Sequence, residues 1–223
     1  MSRRWSFLGS MALLAAALSL GGCAALGVAA SDAAGTPEVP ARWVPPKEPT
    51  LVLVERNYAI AGGDPDCDRL ERFINEDLKS HDVAPLVDFQ PLATLRETDP
   101  DKFGRLSIAA LGRMAGAKQV IYVSVLTYGS ETPIGSPQAK WSASVKVKVV
   151  DAITGQSRWP LDLADGIPMQ ADSEYQARDE TVAYGAVRDI LNKNLADKIG
   201  KLFHSWEQEH DTPEGYEPES FSP

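Results

Sequence analysis

The chain has 223 residues, 43% hydrophobic and 24% charged, which suits a globular domain with additions and excludes collagen, wholesale disorder and a polytopic membrane protein. Its formal net charge is -9 at pH 7 with no basic patch to offset it, so nucleic acid is not an expected partner. Two cysteines exclude a disulfide-rich scaffold and a four-thiolate zinc site, and three histidines (His81, His204 and His210) leave little material for triad chemistry.

Residues 1–22 read as a secretory signal. Arg3 and Arg4 form a positive start, and an apolar stretch runs from Met11 to Leu20, broken only by Ser19. That stretch is shorter than the ~20 apolar residues a spanning helix needs. Leu20-Gly21-Gly22-Cys23 closes it and resembles the bacterial lipobox: an apolar residue, two small residues, then cysteine. The resemblance implies cleavage before Cys23, a diacylglycerol on its thiol and acylation of the new amino terminus. Each buried methylene contributes ~0.8 kcal/mol, so several chains anchor far more firmly than one. Cleavage also removes two positive charges and no acidic residue, leaving an acidic body that stands off anionic headgroups. Ala24 follows the cysteine. In bacteria where an aspartate there marks inner-membrane retention, its lack favours the outer membrane, facing the periplasm.

Residues 23–49 form the expected tether, rich in Ala, Gly and Pro and without hydrophobic period. A flexible chain of that length reaches roughly 30 Å, and prolines lengthen it. The folded unit is expected over 50–206. Thr50 to Val54 reads as a buried strand. Asp64-Pro65 starts a helix, with Asp64 as its cap and Pro65 at the first position. Cys67, Leu70, Phe73, Ile74 and Leu78 share one face of that helix, which stops near His81. Val83 to Phe89 reads as a second strand, weakened by Pro85. Pro91 to Arg96 reads as one helical turn, and Asp99-Pro100 as turn material. Leu106 to Ala115 follows as a helix with Ile108, Leu111 and Met114 inward, ended at Gly116.

Gln119 to Tyr128 is dense enough in β-formers for a central strand. Trp141 to Val149 alternates apolar residues with Ser142, Ser144, Lys146 and Lys148, one dry face and one wet. Asp151 to Gly155 reads as a tight turn and Ser157 to Leu161 as an edge strand. The segments Gly129 to Ala139 and Ala164 to Gln176 read as polar loops without alternation. Tyr184, Val187, Leu191, Leu195, Ile199, Leu202 and Trp206 recur at three- and four-residue spacing, a long amphipathic helix. Residues 207–223 form an acidic tail with three prolines. The expected fold class is α/β: a two-layer mixed sheet with helices on one face and a long C-terminal helix.

Two stretches carry a resemblance. Leu111-Gly112-Arg113-Met114-Ala115-Gly116-Ala117-Lys118-Gln119-Val120-Ile121-Tyr122-Val123 is a helix ending in Gly-Ala that enters a strand. Val147-Lys148-Val149-Val150-Asp151-Ala152-Ile153-Thr154-Gly155-Gln156-Ser157-Arg158-Trp159 is a strand, Val-Asp-x-x-Thr-Gly, then a strand and Trp. Together they resemble the bacterial envelope group of CsgG, the amino-terminal domain of TolB and LpoB-like lipoproteins. The resemblance implies partner binding in envelope assembly and no catalytic residue.

Asp64, Asp66 and Asp68 stand at alternate positions like the start of a calcium loop, but Arg69 replaces the turn glycine and Asn75 the bidentate glutamate. A helix start is the better reading. Cys67 in that first turn is either a reactive thiol or a small apolar filler, and an intermolecular disulfide is an option in an oxidising compartment. No Gly-x-Ser-x-Gly, His-Glu-x-x-His, Walker loop or dinucleotide fingerprint occurs. His81 and His204 each read as a helix-end residue offsetting the dipole. Lys146 and Lys148 read as a solvated face, and Trp141 and Trp159 as covers at strand ends or as interface anchors. The expected function is therefore a non-enzymatic, membrane-anchored lipoprotein that binds another component in cell-envelope assembly or maintenance. Lipidation at Cys23 is the one assigned site, with no catalytic, cofactor or metal residue. The alternatives are an oligomeric secretion-channel subunit of CsgG type and a small periplasmic hydrolase.

Overall fold

A computed structural model describes residues 37–56, 64–131, 134–135, 138–174, 176–177 and 184–208. Cys23, the signal segment and most of the acidic tail lie outside the described residues. Two units are distinguished. The smaller contains a two-residue antiparallel pairing of β1 (Glu38–Val39) with β8 (Trp206–Glu207). The larger, Pro40 to Ser205, is a mixed α/β domain.

The densest run of β-formers builds the centre of its sheet. β3 (Gln119–Glu131) pairs antiparallel with β4 (Gln138–Asp151) and parallel with β2 (Thr50–Arg56). The far edge of β4 is covered in relay by three short strands: β5 (Ser157–Trp159), β6 (Ile167–Asp172) and β7 (Gln176–Ala177). The parallel β2–β3 pair needs a crossover, and residues 65–114 supply it with four helices. These are α1 (Pro65–Ser80), α2 (Gln90–Thr98), α3 (Pro100–Arg105) and α4 (Ile108–Met114). α5 (Tyr184–Gly200) closes the domain.

The expected alternation is visible as burial. Val52, Val54, Ile121, Val123, Val145, Val147 and Val149 point to one face, where they meet Cys67, Leu70, Ile74 and Leu78 of α1 and Leu191, Leu195 and Ile199 of α5. A β-bulge between Val125 and Thr127 shifts the register, so Tyr128 also joins this face, and its hydroxyl accepts from Asn192 Nδ2 at 3.0 Å. The opposite face is wet over Ser124, Lys146 and Lys148. At its β2 end, Leu51, Leu53, Val120 and Ala152 form a second, smaller cluster with Leu92, Phe103 and Leu111 of α2 to α4. The fully apolar run of β2 requires such cover, because its residues alternate between two dry faces.

Several local expectations need correction. Val83 to Phe89 makes no strand: Pro85 lacks a donor, and the segment gives a single parallel bridge, Thr50 to Leu86. Met114 is half exposed rather than inward. Asp99 caps α3, its carboxylate accepting from the Lys102 amide at 3.0 Å, so Asp99-Pro100 starts a helix. The β3–β4 hairpin extends into Gly129 to Ala139, with Ser130 opposite Trp141 and Glu131 opposite Lys140. Ala164 to Gln176 contains β6, whose Ile167, Met169 and Ala171 alternate with more exposed Pro168, Gln170 and Asp172. The long helix ends at Gly200, and Leu202 and Phe203 are buried in the turns that follow.

Pro40 to Pro49, assigned by composition to the tether, lies against the domain. Trp43 donates its amide to Leu202 O at 3.0 Å and stacks on Trp159 with ring centroids 6.3 Å apart. Both tryptophans meet Phe203 edge-on. A deeper tie holds the same segment. Buried Gln119 donates from Nε2 to Pro46 O and Thr50 Oγ1, both at 2.9 Å, while Arg158 links Glu48, Gln119 and Asp151.

Candidate binding groove

Along the apolar stripe of α1, position 71 falls four residues after Cys67 and three before Ile74, where helical period calls for an apolar side chain. Glutamate stands there instead, and it is 7% exposed. Glu71 opens onto a cavity of about 750 Å³ between α1 and the segment from Leu86 to Glu97. A backbone hydrogen bond at Val54, on the edge strand β2, supports its charged form, and its Oε2 has no hydrogen-bond partner among the described residues. Burial pushes the carboxyl up to about 8. The charges of Asp68 and Asp88 add to the rise, and Arg96 opposes it. At neutral pH Glu71 therefore holds its proton and lies buried as a neutral carboxyl beneath the groove.

The rim is built by α2. Asp88 Oδ1 accepts from the Gln90 amide at 2.9 Å, which turns the chain into the helix. Arg96, on the last turn, reaches back to Asp68 Oδ1 at 2.6 Å. Its guanidinium lies over the rings of Phe89 at 5.0 Å and Phe103 at 6.0 Å, so the cation is held by charge and by two aromatic faces. The Arg96 guanidinium, the buried Glu71 carboxyl and the Arg72–Glu76 ion pair, 3.1 Å long, give the cavity a mixed polar lining.

The residues weighed in the sequence are distributed elsewhere. Asp64 caps α1, accepting from the Asp66 amide at 3.0 Å, and pairs with Arg56 Nε at 2.7 Å. Asp66 pairs with Arg188 and Arg69 and Asp68 with Arg96, so the three carboxylates are turned to different cations rather than to one ion. Cys67 is 2% exposed, and burial first, then the neighbouring Asp64, pushes its thiol up to about 12. It is apolar filler rather than a reactive thiol. Lys146 pairs with Asp165 at 2.9 Å, and Lys148 lies over the Tyr122 ring. Trp141 packs beside Tyr128 and under the Arg188 guanidinium at 5.3 Å. His81 and His204 are brought together, their rings stacked 3.6 Å apart. Sequence reading missed Glu71 and Arg96. The charged interruption of an apolar stripe was the available signal for the first, and nothing local marks the second.

No family model matches the chain and no curated protein matches it in sequence, so membership of the CsgG and LpoB-like group is not confirmed. Among solved structures it is similar to the lipoprotein GNA1162 from Neisseria meningitidis, at 12% identity and TM-score 0.41 over 68% of this chain and 97% of that one. A minor lipoprotein from Acinetobacter baumannii gives 13% identity and TM-score 0.40 over 68% and 89%. The hypothetical protein CT253 from Chlamydia trachomatis gives 15% identity and TM-score 0.39 over 68% and 93%. Likeness of this degree assigns neither family nor function.

Proposed function

We propose that this protein is a non-enzymatic lipoprotein of the cell envelope, anchored through acylated Cys23 and binding another envelope protein through the groove between α1 and α2. The observation that carries the reading is the lipobox, Leu20-Gly21-Gly22-Cys23, placed directly behind a basic start and an apolar run of signal length. Ala24 supports the outer membrane, facing the periplasm. Among the described residues no helix is long and apolar enough to cross a membrane, so the acyl chains are the proposed means of attachment. The groove's rim supports binding: the Arg96 guanidinium, held by Asp68 and by the faces of Phe89 and Phe103, is a fixed cation placed to meet an acceptor on a docked polypeptide.

Two measurements test it. Cys23→Ala should release the protein from membranes after a high-salt wash, and retention would refute the anchor. A photoreactive residue at Ala93, in the groove, should give a discrete crosslinked partner in cells, while one at Lys148 on the wet sheet face should not. Crosslinking from Lys148 alone would move the binding surface to the sheet.

A further inference from the structure

We propose that Asp77, His81 and His204 form a site for a divalent transition-metal ion of the zinc class, at the place where the carboxyl ends of α1 and α5 meet. Asp77 lies in the last turn of α1 and His81 at its C-cap. His204 follows α5 by four residues. One donor atom from each stands within 4.8 Å of the other two. Two helix C-termini each present partial negative charge, so their convergence favours a cation before any side chain is counted. Two imidazoles and one carboxylate suit zinc, with three protein ligands and an open fourth position.

The hydrogen bonds fix which nitrogens are available. His204 Nδ1 is 2.8 Å from Ser205 O, and His81 Nδ1 is 3.0 Å from Asp77 O. A carbonyl oxygen only accepts, so each ring donates from Nδ1, and in the neutral form that a metal ion requires Nε2 is the nitrogen left to ligate. An Nδ1–H held by a backbone carbonyl is the partner arrangement that orients metal-binding histidines. His204 Nε2 then faces Asp77 Oδ2 at 3.1 Å. A lone pair facing a carboxylate oxygen at that distance is repulsive unless a cation or a proton lies between them.

Room for this contact is made on α5. A Cβ at Gly200 would overlap the Asp77 carboxylate and come within 3.1 Å of His204 Nε2. The glycine is thus what lets the carboxylate reach the ring. Asp77 also lines an adjoining cavity of about 260 Å³, together with Glu76, Asp197 and Lys193. Tetrahedral donors ~2.1 Å from an ion stand roughly 3.4 Å apart, so the three must draw in. His81 has the room for the movement: its side chain is 44% exposed against 9% for His204, so its ring can pivot about the Nδ1 contact with Asp77 O.

The test is calorimetric titration of the full lipidated chain, purified in detergent and stripped with chelator, with zinc sulfate alone. We expect one equivalent per chain at micromolar affinity or tighter, and a higher melting temperature in excess zinc. His81→Gln changes an exposed side chain and should fold normally, yet weaken binding by about tenfold or more. His204→Gln should do the same. His210→Gln, at a histidine outside the described residues, should leave binding unchanged. Failure of the folded protein to bind zinc would overturn the proposal. So would binding that survives His81→Gln, or that is lost in His210→Gln.

Discussion

Glu71 and Asp151 show how the same side-chain type is driven in opposite directions by its surroundings. Asp151 closes the turn to Gly155: its Oδ1 accepts from the Ile153 and Thr154 amides, both at 2.8 Å, and its Oδ2 from Arg158. Those donors hold its carboxyl well below the usual range. Glu71 is deprived of water and compensated only in part. Its pKa rises from 4.5 to about 8, so between those values the folded state keeps a proton that the unfolded chain has released. Stability attributable to Glu71 is therefore present at acid pH and lost as pH climbs through that window. Glu71→Gln removes the charge and keeps the shape. It should raise unfolding stability by about 1–3 kcal/mol at pH 8.5 and change it little at pH 4.5. Urea titrations at the two pH values measure this. An equal effect at both would mean that the carboxyl does not titrate in that range.

At the level of elements, what was legible followed from period and punctuation. α1 is written in Asp64-Pro65 and a clean apolar stripe, and β3 and β4 in dense or alternating β-formers. β6 was hidden because Pro168 and Asp172 read as loop, although on an edge strand a proline can face away from the ladder. The covered second face was hidden because three short helices carry too few residues to show a period. The groove and the histidine pair were less legible still. His81 and Asp77 share a helix face at i, i+4, but His204 arrives across the fold from 127 residues away. The entry to β6 also depends on a backbone feature. Gly166 has φ +101, and a Cβ there would stand 2.5 Å from Val147 O and 2.8 Å from its carbonyl carbon. Gly166→Ala should therefore destabilise the domain by about 2–4 kcal/mol, through strain and through a displaced strand. A denaturant midpoint unchanged from the parent would show that β6 tolerates the shift.

For the molecule as a whole, the strands that were rivals for a membrane role are the β3–β4 hairpin and β6. A strand that crosses a bilayer needs ~9–11 residues with an apolar set facing lipid. β6 is occupied: Ala171 is 1% exposed, and the strand pairs with β4 from Ser142 to Val147, so it is part of the domain's own sheet. Past its bulge, the arm of β3 runs only from Thr127 to Glu131, opposite Lys140 to Ser144 of β4. Its two faces carry Thr127, Gly129 and Glu131 on one side and Tyr128 and Ser130 on the other, and neither is an apolar band. Inserting Glu131 and Lys140 into hydrocarbon would cost several kcal/mol with no lipid-facing residues to offset it. The lipidated protein should therefore give no conductance steps in a planar bilayer at any stoichiometry of chains. Reproducible steps that vanish when residues 132–137 are deleted would reverse this and restore the channel reading.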